Sequence, residues 1–565
     1  MVTTEIPYLR ATPDSAQLIV KGQPFLMLPL ELHNSSLSSE EYMEAVWDNL
    51  KDCNFNTVLG SVTWEMIEPE EGKFDFAELD RAIMAARKRG LHLVVLWFGS
   101  YKNGTSSYIP GWVKTNPSRF QRAKIFDQDG KLKVTEVLSP FCHACWEADA
   151  KAFAALMRHI KELDAAHSTV LMTQVENECG LLGDSRDRCD LANEAFQKSV
   201  PTDLLAYLKG KKQLHPEFER KWPKFREAVA ADGPVSWPQA FGSSIFGDEI
   251  FMTNALSSYV GKVAEAGKKE YPLPFFVNVW MNTEDASLVD LGETGGKIDL
   301  PAVAGGGYTG KPGVYPSGGP CPHTLDFWRH NAPAIDFVSP DIYLQDYEWV
   351  CKQYRYENQP LFIPEQRADG RGARRAWLAY GTYSSLGCSP FGVDDVPASE
   401  SDFTKPYEIL SKMSKHILAA QAAEPNSTFG FYFDPLSDSR KDKWEHTFGK
   451  FKLNITRSIA FGEPAPAYGM IIHRGDGRFL FIGQGYQVTF ESVDPSAVYT
   501  GVLEFFELLV DDDGNLTRSR TLNGDERMSG ELAIMPSETP DDGGFPIRVL
   551  VPARTYLAEC VAYSI

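Results

Sequence analysis

The chain has 565 residues, 43% of them hydrophobic and 12% aromatic, with a formal net charge of -20. That length exceeds what one hydrophobic core sustains, so two or three domains are expected, one of them a large barrel. The net acidity opposes binding to nucleic acid or to anionic membrane surfaces, both of which attract basic patches, and a neutral substrate fits better.

From Pro24 to about residue 423, short apolar runs alternate with amphipathic helices. Eight runs are readable: 25–31 (FLMLPLE), 55–61 (FNTVLGS), 91–97 (LHLVVLW), 169–176 (TVLMTQVE), 273–280 (LPFFVNVW), 335–343 (IDFVSPDIY), 360–365 (PLFIPE) and 386–393 (LGCSPFGV). Continuous apolar runs suit strands buried on both faces of a parallel sheet. Between the first two, Ser38 and Glu41 have capping-box spacing, and Met43, Val46, Trp47 and Leu50 follow on one helical face. The next helix carries Leu79, Ala82, Ile83 and Ala86 and ends at Gly90, and a third carries Phe153, Leu156, Met157 and Ile160. Eight repeats of strand and helix predict an α/β protein with a (β/α)8 TIM barrel, whose catalytic residues gather at the C-terminal strand ends. A doubly wound open sheet is the competing reading, but LELHNSS after the first run is not a glycine-rich phosphate turn.

Two connections, Cys179 to Glu270 and Met281 to His330, are longer than a barrel requires, and long loops on this face shape clefts. After about residue 424 the pattern changes to short alternating strands with Asp-Gly turns. The expected division is therefore a barrel with a short N-terminal extension over residues 1–424 and an antiparallel β-sandwich over 425–565.

The fourth run ends in QVENECG and the seventh in LFIPEQ. Strands four and seven face each other across an eight-stranded ring, so Glu178, or its neighbour Glu176, can confront Glu365. A retaining glycosidase needs two carboxyls about 5–5.5 Å apart, one to attack the anomeric carbon and one to protonate the departing oxygen. Alternation along the fourth strand points Glu176 and Glu178 the same way and turns Asn177 aside, unless the strand end bends. The same rim carries His33, Asn34, Trp64, Glu65, Trp97, Asn278, Trp280, Asp394 and Asp395, where indole faces stack on sugars and carboxylates or amides bind hydroxyls.

QVENECG resembles the signature of glycoside hydrolase family 35, whose second Glu is the acid/base and whose Asn binds the sugar 2-hydroxyl; the resemblance gives these roles to Glu178 and Asn177. The segment NTVLGSVTWEMIEPEEGKFDF is similar to that family's second strand and following turn, matching at Asn56, Thr57, Val58, Trp64, Glu68, Pro69, Gly72, Phe74 and Phe76. The likeness spans most of the barrel and suits the short-chain bacterial and fungal branch with one sandwich domain. In the wider clan the nucleophile ends strand seven, here Glu365, and a strand-six Tyr, here Tyr343, hydrogen-bonds it. The third strand departs: the family carries an acid and an Asn there, whereas this chain reads LWFGSYKNG. The EPEEGKFDF turn is equally similar to family 42 of the same clan. The resemblance implies an exo-acting β-galactosidase. A β-glucosyl, β-glucosaminyl or α-L-arabinopyranosyl substrate, or an inactive carbohydrate-binding barrel, are the alternatives.

No cofactor or metal is expected. Gly305 to Pro312 has the Gly and Lys spacing of a phosphate loop, but Pro312 replaces the hydroxyl that would bind magnesium; Cys142 and Cys145 lack a second pair at zinc spacing, with a helix expected from Trp146. The expected partner is an oligosaccharide or glycoside; neither nucleic acid nor membrane is expected, and a homo-oligomer is compatible. No apolar run approaches the roughly 18 residues of a membrane helix, and the N-terminus lacks a basic start followed by an apolar stretch. With nine irregularly spaced cysteines reading as reduced thiols, the expected location is cytoplasmic. Of five Asn-x-Ser/Thr sequons (Asn34, Asn103, Asn426, Asn454, Asn515), Asn34 stands on the rim, where a glycan would obstruct the cleft.

Overall fold

The computed structural model describes residues 5–230, 233–282, 284–290, 310–438 and 441–565. Each of the eight apolar runs contains a strand: β1 (Pro29–Glu31), β2 (Thr57–Thr63), β3 (His92–Lys102), β4 (Val170–Asn177), β5 (Phe275–Val279), β6 (Phe337–Pro340), β7 (Ile363–Gln366) and β8 (Cys388–Pro390). Strands β1 to β6 pair in parallel, in sequence order, and β7 pairs with β8. Single bridges join the two sheets into a ring, Ile342 to Gln366 on one seam and Glu31 to Phe391 on the other. The barrel reading therefore holds.

Period two along these strands turns one set of side chains inward. Leu59, Leu96, Met172, Phe276, Phe337, Phe362 and Leu386 fill the interior as one buried cluster. Leu18 and Val20 belong to the same cluster and come from an antiparallel sheet of Tyr8–Ala11, Ala16–Val20 and Gln23–Phe25, so the N-terminal extension closes the floor of the barrel. The opposite, C-terminal end stays open to function.

The expected helix after β1 is broken. A 3-10 turn (Ser36–Ser38) precedes two short helices, Glu40–Met43 and Trp47–Asp52, and the cap is Ser39, whose side chain accepts from Tyr42 N; Ser38 Oγ donates to Ser35 O. The extended φ of -145° at Ser39 places the first helical turn one residue later than the capping-box spacing suggests. Met43, Val46, Trp47 and Leu50 are buried as expected. Helix α1 (Ala77–Arg89) buries Leu79, Ala82, Ile83 and Ala86 and stops at left-handed Gly90, φ 74°. Helix α2 (His143–Asp164) buries Phe153, Leu156, Met157 and Ile160 and starts three residues before Trp146, with Cys142 at its N-cap. The long connection after β4 folds into short helices and then α3 (Ile245–Glu270). Of the stretch from Gly305 to Pro312, residues 305–309 lie outside the described residues.

After β7 come α4 (Gly370–Thr382) and, after β8, α5 (Thr404–Ala423). Beyond α5 lie two antiparallel sheets. One has six strands in the order Thr428–Phe433, Ala467–His473, Arg478–Gln484, Leu557–Ser564, Thr500–Val510, Leu516–Thr521; the other has five, beginning Trp444–Phe448, Phe451–Arg457 and Tyr486–Ser492. Helix α4 seats against the first of these strands at two glycines. A Cβ on Gly430 would stand 1.8 Å from Trp377 O, and one on Gly381 would stand 2.5 Å from Gly430 Cα. Beside this contact, Arg375 reaches Asp434 at 2.7 Å and Asp290 at 2.6 Å. Among the described residues, no helix is long and apolar enough to cross a membrane, and all nine cysteines are buried and unpaired.

Candidate active site

Strand β4 does not end in simple alternation. Glu176 and Glu178 both take left-handed backbone, φ 63° and 44°, a conformation that costs a non-glycine residue energy and gathers at functional sites. The bend sends the two glutamates to different places. Glu176 turns out of the mouth and accepts from Ser100 N (3.2 Å) and Tyr101 N (2.7 Å), beside buried Asp149 of α2. Burial and the Asp149 charge raise its pKa well above the usual range. Asn177 and Glu178 turn into the mouth; the strand end bends, the condition under which alternation no longer sets Asn177 aside.

Strand β3 also departs from regular pairing. Trp97 pairs with Val175 and Lys102 with Asn177, so five residues of β3 advance against two of β4. This overshoot carries Lys102 and Asn103 to the rim, where Asn103 Oδ1 accepts from Asn177 Nδ2 at 3.0 Å. Asn177 Oδ1 accepts from Gln174 Nε2 (2.9 Å) and Asn278 Nδ2 (3.1 Å), leaving one Asn177 N–H for a ligand.

Asn278, from β5, is the hub. Its Oδ1 accepts from Glu178 N at 2.9 Å, and its Nδ2 faces Asp341 Oδ2 at 2.9 Å and Glu365 Oε1 at 3.3 Å as well as Asn177. Glu365, from β7, accepts a second bond from Tyr343 Oη at 2.9 Å. One oxygen each of Glu178, Asp341 and Glu365 lies within 4.8 Å of the others. Such a set suits a hard divalent cation, but Asn278 and Tyr343 already direct their donors at two of its three members.

The electrostatics separate the carboxyls. Burial, followed by the charge of Glu365, raises the Glu178 pKa to about 8, with Lys102 and Asp341 opposing. Asp341 is raised well above its usual value by burial and then by Glu365 and Glu178. Glu31, at the end of β1, is raised by burial and Glu365, and neither of its carboxylate oxygens has a hydrogen-bond partner. Burial and the Glu365 charge likewise hold the Tyr343 phenol protonated.

The remaining rim candidates divide. Trp64 and Trp97 are fully buried, with Nε1 donated to Glu68 Oε2 at 2.8 Å and to Asp149 Oδ1 at 3.0 Å. These bonds fix each indole through its edge to a carboxylate of the protein. Trp280 is buried at the end of β5 with its Nε1 unpartnered, as is Asn34 Oδ1. Glu65 pairs with Lys114 at 2.9 Å on the outer rim. Buried Asp394 accepts from His33 N and Ser36 Oγ and bonds His33 Nδ1 at 2.7 Å, tying the loop after β8 to the loop after β1. Asp395 is exposed. Sequence reasoning did not single out Lys102, Asn103 or Asp341. Asp341 carried a usable signal, an acid near the C-terminal end of the sixth run.

Residues 34–222 match the model of a family described as β-galactosidase, glycoside hydrolase family 42. Over that span the chain is similar to this glycoside hydrolase family. That span includes the ends of β2, β3 and β4 and therefore Asn177 and Glu178. Residues 403–534 match a second family, described as a domain of unknown function. Among curated proteins, β-galactosidase-1-like protein 3 of Mus musculus is 28% identical over 196 residues, 34% of this chain and 27% of that one. β-Galactosidase 13 of Arabidopsis thaliana is 26% identical over 212 residues, 36% of this chain and 21% of that one. The chain thus spans about a quarter of the length of these relatives. Among solved structures, the β-galactosidase of psychrophilic Marinomonas ef1 aligns with a TM-score of 0.45 at 12% identity, over 71% of this chain and 62% of that one. The likeness to β-galactosidases thus lies in residues 34–222, the part of the chain that carries Asn177 and Glu178.

Proposed function

We propose that the protein is a retaining, exo-acting β-galactosidase of family 35 type that removes terminal β-D-galactosyl residues by double displacement. The observation that carries this reading is the approach of Glu178 and Glu365 oxygens to within 4.8 Å. An inverting pair stands about 6.5–9.5 Å apart to admit a water between the base carboxylate and the sugar, whereas a retaining pair is closer. In the proposed cycle a Glu365 oxygen attacks the anomeric carbon as the bond to the leaving oxygen breaks, and Glu178 gives that oxygen its proton. Once Glu365 is esterified its charge is gone, so Glu178 releases its proton more readily and acts as base. Water then attacks the anomeric carbon, passes a proton to Glu178 and frees Glu365. Tyr343 and Asn278 hold the Glu365 carboxylate, and the spare Asn177 N–H serves the 2-hydroxyl.

The division at about residue 424, with the two C-terminal sheets supporting the barrel through α4, belongs to the same proposal. So does a reducing, cytoplasmic setting, supported by nine buried thiols. A neutral glycoside is the partner that suits a charge of -20, and the acidity disfavours nucleic acid and anionic membranes.

A panel of phenyl β-galactoside, β-glucoside, β-glucosaminide and α-L-arabinopyranoside tests the sugar, with the galactoside expected to give the highest kcat/KM. Glu365→Ala is expected to be inactive until azide is added, then to release the inverted galactosyl azide. A wild-type protein that cleaves none of the panel, or a variant that azide does not rescue, would sink the reading.

A further inference from the structure

Two groups in the barrel mouth have no part in this mechanism, yet neither is satisfied by the protein. Lys102, only 7% exposed, rests its ammonium 4.5 Å from the Phe98 ring centroid. Among the described residues it makes no hydrogen bond and no ion pair within 4.0 Å, although its charge is felt by Glu31, Glu178 and Asp341. Glu31 is 1% exposed and both its oxygens lack donors. Buried charges and carboxyls are normally paired, because desolvation is otherwise uncompensated. Elsewhere this protein follows the rule: Lys211 closes on Asp326 at 2.5 Å and Arg375 on Asp290 at 2.6 Å. In the mouth, a cation held by an aromatic face and an acid held by burial remain apart.

The geometry points to Lys102 and Glu31 as the specificity-determining pair of the sugar site, Lys102 donating to one hydroxyl of the terminal sugar and Glu31 bonding that hydroxyl or its neighbour. The inference rests on the glycosidase reading and deepens it. It also defines the substrate class. The pair suits a neutral hexopyranoside, whose hydroxyl can accept from the Lys102 ammonium while it or its neighbour bonds the Glu31 carboxyl.

The test crosses each residue with each sugar hydroxyl. Lys102→Met and Lys102→Gln, with Glu31→Gln, are assayed on phenyl β-galactoside and on its single-deoxy analogues. A charge-assisted bond to a hydroxyl predicts that Lys102→Met loses about 10–100-fold in kcat/KM on the parent. It should lose almost nothing further on the one analogue lacking the hydroxyl that Lys102 reads, and the full factor on the others. Glu31→Gln should show the same pattern on that hydroxyl or its neighbour. Equal losses on every analogue, or no loss on the parent, would overturn the assignment. The Gln variant keeps a donor and should retain part of the activity, so a Met variant that fails to fold leaves the cycle readable. If the wild type cleaves no phenyl glycoside, the glycosidase reading fails by itself, and the same cycle is read calorimetrically as dissociation constants of galactose and its deoxy forms. Losses confined to one hydroxyl then uphold the pair, and binding of none of these sugars overturns both.

Discussion

Raising the pH should switch hydrolysis off along a limb centred near 8, because Glu178 must carry a proton to give away. Its pKa is raised from 4.5 to about 8 by burial and then by the charge of Glu365. At pH 7 such a carboxyl is protonated in roughly ten molecules for each ionised one, whereas an unperturbed glutamate is protonated in only about one in 300. Protonation persists below about 8 and is lost above it, so kcat/KM should fall tenfold per pH unit on the alkaline side. The same sign applies to folding: a carboxyl whose folded pKa is raised contributes stability at low pH that is lost as the pH rises through about 8. The assay is kcat/KM for phenyl β-galactoside from pH 5 to 10, since phenol leaves poorly without a proton. The alkaline limb should vanish in Glu178→Gln, which should retain far more activity on a dinitrophenyl galactoside, whose leaving group needs no acid. Lys102 opposes the shift, so Lys102→Met should move the limb upward. An alkaline limb below pH 6, or one that persists in Glu178→Gln, would refute the reasoning.

Tyr343→Phe removes the 2.9 Å bond to Glu365; a charge-assisted bond of this kind predicts a loss of about 10–100-fold in kcat with little change in KM, read by steady-state kinetics. Trp64→Ala should act on stability, because the ring is fully buried and bonded to Glu68. A cost of about 3–5 kcal/mol is expected in denaturant unfolding, and an unchanged midpoint would mean the ring is not core. Gly99→Ala would set a Cβ 2.3 Å from Trp97 Nε1 and 2.7 Å from Glu176 Oε1; overpacking of about 1–3 kcal/mol is expected, visible as a lowered melting temperature.

The barrel was legible because eight apolar runs alternate with helices whose buried faces keep a 3.6-residue period, and all eight contain strands. Glu365 was placed by strand counting together with the clan resemblance, and Tyr343 by that resemblance; the two share a hydrogen bond. What escaped was local irregularity. The left-handed turns at Glu176 and Glu178 carry no glycine or asparagine to announce them, so period two alone does not place Asn177. The register slip in β3 brings Lys102 and Asn103 to the rim five and six residues beyond the end of the apolar run at Trp97. Trp64 and Trp97 were drawn toward the cleft by residue type; the glutamate four residues after Trp64 was a sequence-level sign of an internal indole bond, whereas the partner of Trp97, Asp149, lies on a different element.

The central claim, that Glu365 and Glu178 perform a double displacement, is tested most directly by following phenyl β-galactoside hydrolysis by proton NMR from the first seconds of reaction. The account predicts that β-galactose forms first and only later mutarotates to the equilibrium mixture. First release of α-galactose would require a single displacement by water and would contradict it.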